Sequence, residues 1–146
     1  MRRILVGFDG SDGGHRALDR AIEEAAKSTV HLTVISVENM PLDPEAPRHF
    51  GTLGDISAAE GAPFAAPPDI VQHLQQANER LSKAGVSADL TWAAGEPGAE
   101  IVEAAKRVRA NLIVVGEHHH GFLSNLFGGN VDEEVQRAAG CDVILA

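Results

Sequence analysis

Hydrophobic positions along the chain switch between two periods. Residues 4–8 form a continuous apolar run, Ile4-Leu5-Val6-Gly7-Phe8, which predicts a strand buried on both faces. Over 12–28, Leu18, Ala21, Ile22 and Ala25 recur at helical spacing and predict an amphipathic helix. A second strand is expected over 30–37. Helical period returns over 69–84 through Ile70, Leu74, Ala77 and Leu81, with Gly85 as the stop. Val86, Ala88, Leu90 and Trp92 then alternate with Ser87, Asp89 and Thr91, the pattern of an edge strand with one wet face and Trp92 in the core. Pro97, in the turn Gly95-Glu96-Pro97-Gly98, suits a helix start, and Ile101, Val102, Ala105 and Val108 form the stripe of that third helix. Leu112–Val115 predicts another fully apolar strand. A helix over about 131–139 and a last strand through Val143, Ile144 and Leu145 complete the pattern.

The stretch 40–68 stands apart. It holds every proline except Pro97, together with Gly51, Gly54 and Gly61, and shows neither period. Proline fixes φ and removes a donor, so a long loop is expected, with room for one helical turn. Loops of this length are lids or binding loops, or else disordered. The element order, βαβ, long loop, αβαβ, loop, αβ, predicts one α/β domain over 1–146. Right-handed crossovers make it a doubly wound, five-stranded parallel sheet of order 3-2-1-4-5, with helices on both faces. The switch point of such a sheet lies between strands one and four, and ligands bind at the carboxyl ends of those strands. Two segments fall there, 7–11 and 116–129.

Composition narrows the partners. A length of 146 residues and 44% hydrophobic content suit one domain with a real core. A formal charge of −9 argues against nucleic acid and gives no attraction to anionic lipid. Cys141 is the one cysteine, so no disulfide can form within the chain. It reads as a small core residue and not as a nucleophile. The first apolar run is too short for a signal peptide and no stretch approaches a membrane span, so the cytoplasm is the expected compartment.

Four segments carry a resemblance. Ile4-Leu5-Val6-Gly7-Phe8-Asp9-Gly10-Ser11 resembles the opening strand and turn of universal stress proteins. Gly95-Glu96-Pro97 with Ile101 and Ala105 is similar to that family's third-helix start, and 110–116 to its "ADLIVVG" strand. Residues 141–145 resemble its "CPVLVV" ending. The resemblance implies a Rossmann-like fold of the adenine nucleotide alpha hydrolase type and a small stress-response module that binds and does not catalyse. In the family's nucleotide-binding branch the fourth strand is followed by G-x2-G-x9-G-[S/T]. Here Gly116 holds the first position, His119 the second, Gly129 the third, and Asn130 replaces the Ser or Thr. The resemblance implies a site of Gly7, Phe8, Asp9, Val37, Val115, Gly116, His118, His119, Gly129, Asn130 and Val131. Adenine would lie near Val37, ribose near Asp9 and Gly116, and phosphates along 129–131. Another branch lacks the glycines and carries a His-rich segment, which 116–126 partly resembles as well.

Physical chemistry bears on that site. Phosphate loops need close-approaching backbone amides, and His119 is larger than the glycine it replaces. No Lys or Arg occurs over 116–136, whereas Glu117, Asp132, Glu133 and Glu134 are acidic. Asn130 with Glu133 also fits an ordinary capping box. AMP is therefore penalised less than ATP, and Mg2+ enters only with ATP. Asp9 either accepts from a ribose hydroxyl or an adenine edge, or partners the turn at Gly10-Ser11. The run His118-His119-His120 reads as a polar loop, since adjacent imidazoles rarely converge on one ion, and no metal site is expected. No nucleophile elbow, HExxH, CxxC or Walker A pattern occurs. The last strand, Val143-Ile144-Leu145, would leave a sheet edge open, so a homodimer through it is expected. The alternatives are a dimeric interaction protein without nucleotide and a weak ATP hydrolase. Electron-transfer flavoproteins share the topology, but nothing in the sequence marks a flavin site.

Overall fold

The continuous apolar run at the start of the chain forms β1, Arg2–Gly7, and Ser11 then caps helix α1, Asp12–Lys27, accepting from the Gly14 amide at 3.0 Å. The structure is a computed structural model that describes residues 1–39, 49–52, 66–116 and 138–146. The described elements continue with β2 (Val30–Asn39), β3 (His49–Thr52), α2 (Pro68–Lys83), β4 (Asp89–Gly95), α3 (Pro97–Val108), β5 (Leu112–Val115) and β6 (Asp142–Leu145). Proline opens both α2 and α3, where its missing N–H costs nothing.

The parallel strands run in the order β4-β2-β1-β5-β6, which is the 3-2-1-4-5 order expected of five strands. Period two divides their side chains between two faces. Ile4, Val6, Phe8, Leu32, Val34, Trp92, Leu112 and Val114 pack under α1 and α2, against Leu18, Ala21, Ile70, Leu74 and Leu81. Leu5, Ile35, Val37, Ala93, Ile113 and Val115 pack under α3, against Ile101, Val102 and Ala105. Burying a side chain the size of Leu18 or Leu74 contributes roughly 2 kcal/mol each.

Four expectations are corrected. The stretch 40–68 is not loop throughout: His49–Thr52 forms β3 and pairs antiparallel with β4, as a sixth strand. For that reason β4 is not an edge strand. It also begins at Asp89 and not at Val86, because its partner rows with β2 start at Thr33↔Asp89. Finally, β2 continues two residues beyond Val37, to Asn39. No helix among the described residues is long and apolar enough to cross a membrane.

Candidate functional site

The carboxyl ends of β1 and β5 meet at the switch point of the sheet, where topology directs a ligand. Gly7 ends β1 and presents no side chain to the face under α3. Val37 and Val115 stand on that same face, in the strands on either side of β1, at 8% and 1% exposure. The ring of Phe8 instead turns to the other face, fully buried and edge-on to His15 at 5.0 Å. The Phe8 backbone is occupied on both sides, its amide donating to Ile35 O at 2.9 Å and its carbonyl accepting from Ser36 Oγ at 2.6 Å. Phe8 therefore fixes where β1 ends.

Asp9 follows, half-buried. Its Oδ1 accepts from the Ser11 amide at 3.0 Å and from the Ser11 hydroxyl, and Ser11 Oγ in turn accepts from Gly14 N. The Asx-type turn expected as a purely structural use of Asp9 is thus formed. Oδ2 has no hydrogen-bond partner among the described residues. Gly10 has φ +77, a conformation that side chains disfavour, and a Cβ there would come within 3.0 Å of the His73 ring on α2.

Gly116 carries a packing role that sequence reasoning missed. A Cβ on it would lie 2.4 Å from Gly13 C and 2.5 Å from Gly13 O, so the end of β5 rests directly on the backbone of the first turn of α1. The adjacent pair Gly13-Gly14, costly inside a helix, was the available signal. Gly14 is constrained too, since a Cβ there would meet Asp9 Oδ1 at 2.7 Å. Arg16 brings a cation to this end, its Nε donating to the Ala146 carbonyl at 3.4 Å. The other predicted site residues, His118, His119, Gly129, Asn130 and Val131, lie outside the described residues, as do His120 and the start of the helix expected over 131–139. Among the described residues no group of three or more His, Cys, Asp or Glu is arranged to hold a metal.

Cys141 precedes β6 and is half-buried. Burial first, and then the neighbouring Asp142 charge, push its thiol up from the ordinary value, which disfavours the nucleophilic thiolate.

Comparison with known proteins follows the same lines. The family described as "Universal stress protein family" matches residues 1–146. Universal stress protein YxiE of Bacillus subtilis is 29% identical over 154 residues, which cover 99% of this chain and 98% of that protein. A universal stress protein whose crystal structure is a complex with cAMP is 30% identical, with a TM-score of 0.68, covering 99% of this chain and 96% of that one. Universal stress protein UspA of Lactobacillus plantarum, 23% identical, shares the fold at a TM-score of 0.64 over 99% of this chain and 96% of its own.

Proposed function

The chain belongs to the universal stress protein family, and from that footing we propose that it is a non-catalytic, cytoplasmic stress-response module that holds an adenine nucleotide at the switch point. The observation that carries this reading is the arrangement at the end of β1. Asp9 Oδ1 is tied to Ser11, which aims the carboxylate and leaves Oδ2 for a ribose hydroxyl or an adenine amine. Beside it, Gly7, Val37 and Val115 lie at or near the carboxyl ends of adjacent strands, where the family resemblance places the adenine. The cAMP complex of a protein 30% identical over nearly the full length supports the same ligand class.

In this reading the phosphates run from Gly116 towards Gly129, Asn130 and Val131, with His118 and His119 alongside. Arg16 supplies positive charge at the end of the sheet, which 116–136 lacks. AMP-like ligands with few phosphates are favoured, and Mg2+ accompanies only ATP. A homodimer through Val143, Ile144 and Leu145 covers the β6 edge.

Calorimetry on nucleotide-stripped protein tests the site, with cAMP, AMP and ATP, each with and without Mg2+. Binding in the micromolar range is expected. It should be lost in Asp9→Asn, which keeps the Oδ1 acceptor for Ser11 and so preserves the turn. A folded protein that ignores millimolar nucleotide overturns the reading and favours the alternative, a dimeric interaction module with no nucleotide.

A further inference from the structure

A pair of carboxyl groups meets at the carboxyl end of β2, on the face that α2 covers. Glu38 continues the row of Leu32, Val34 and Ser36, so the pleat turns its side chain towards α2. There it is half-buried and hydrogen-bonded to the side chain of Asp69, in the first turn of α2. His73, one turn further along, faces the same pair. Its ring also covers Gly10, where a Cβ would meet Cδ2 at 3.0 Å and Nε2 at 3.2 Å. His73 Nδ1 is buried with no hydrogen-bond partner among the described residues.

Ionised carboxylates are acceptors only, so a hydrogen bond between two of them requires one proton. Burial first, then the charge and hydrogen bond of Asp69, hold the Glu38 carboxyl above the usual carboxylate range, while charge on His73 pulls it the other way.

We propose that Glu38, Asp69 and His73 form a proton-dependent latch that holds the first half of α2 against β2 and over the Gly10 turn. Protonated, Glu38 donates to Asp69 and ties strand to helix. When that proton leaves, two carboxylates face each other across a partly dry contact and the first half of α2 loosens. The second half of α2 stays anchored, since Arg80 grips Asp19 of α1 through two bonds of 2.6 Å.

Among the described residues, the other titratable neighbours leave this balance in place. Asp9, in the β1–α1 turn, has Oδ1 committed to Ser11, and His15 of α1 lies against Phe8. On β4 the residue in register with Glu38 is Ala94, which carries no charge. Glu100 is buried at the end of β4 and the first turn of α3, which packs on the opposite face. A raised folded-state value means that the folded protein binds the proton more tightly than the unfolded one. The latch is therefore closed at the acid side and is lost as pH rises through the Glu38 value.

Amide hydrogen exchange of the full chain, without nucleotide, at about pH 4.5 and about pH 7.5 tests this directly. Protection factors, which already allow for the intrinsic pH effect, should fall severalfold at the higher pH over 70–77 and 10–14, but not over 81–83. Glu38→Gln, whose amide donates without a titrating proton, should remove the pH dependence, and so should Asp69→Asn. Equal wild-type protection at both pH values overturns the latch, as does an unchanged decline in either variant. A carbon-13 titration of the wild type serves if both variants fail to fold. Glu38 titrating with the exposed glutamates overturns the latch, and titration above them supports it. Because no ligand is present, these outcomes are independent of whether a nucleotide binds.

Discussion

The two ends of the sheet are held by different forces. At the amino end charge does the holding. Glu24 of α1, its side chain only 8% exposed, takes Arg2 at 2.8 Å and Arg20 and Lys27 at 3.2 Å. His31 meets Asp89 at 2.8 Å across the starts of β2 and β4. At the carboxyl end the ties are uncharged and close: Gly116 on Gly13, Ser36 on the Phe8 carbonyl, Ser11 on Gly14. The carboxylates there, Asp9, Glu38 and Asp69, are held by hydroxyl, amide and carboxyl partners. One end is neutralised by ion pairs and needs no ligand. The other, among the described residues, gathers carboxyl groups held by neutral partners where α/β sheets bind their ligands.

The largest way to break that contrast is Gly116→Ala. The new methyl would overlap backbone, which cannot rotate away, so a loss of about 3 kcal/mol is expected, or ~10 °C in thermal midpoint. A loss under a third of that would show that β5 and α1 separate readily. Next, Ser36→Ala leaves the buried Phe8 carbonyl without its donor and should cost about 2 kcal/mol by denaturant titration.

Glu24→Gln probes the charged end. Hydrogen bonds from Arg2 and then Lys27 hold the Glu24 carboxyl below its usual range. A lowered value means stability that is present at neutral pH and disappears as pH falls through it. The variant should melt several degrees lower than wild type at pH 7, with the gap closing in acid and shrinking in high salt. The smallest effect has the opposite sign: Glu38→Gln should melt slightly higher than wild type above neutrality and equal to it in acid. If both glutamate variants shifted in the same direction, the distinction between the ends would fail.

Much of the fold was legible because it rests on local period. Ile70, Leu74, Ala77 and Leu81 set α2 to within a residue, and the run Leu112–Val115 set β5. The errors came where a distant partner decides. Nothing in His49-Phe50-Gly51-Thr52 alternates strongly; it becomes a strand because the outer side of β4 offers it hydrogen bonds. Val86 to Ala88 alternate correctly, but β2 begins pairing with β4 only at Asp89. The same blindness hid parts of the site. Ending β2 at Val37 left Glu38 in a loop and concealed its meeting with Asp69. Topology alone brought 7–11 and 116 together, yet which atoms touch there depends on a glycine pair in a helix one hundred residues earlier.

That contact changes how the first glycine of the motif should be read in this chain. Gly116 occupies the first motif position, yet its lack of a side chain is already demanded by Gly13 behind it. A descendant that lost all affinity for nucleotide would still be unable to replace it. Glycine at this position is thus demanded by folding in this chain, and its presence here is by itself no sign of nucleotide binding.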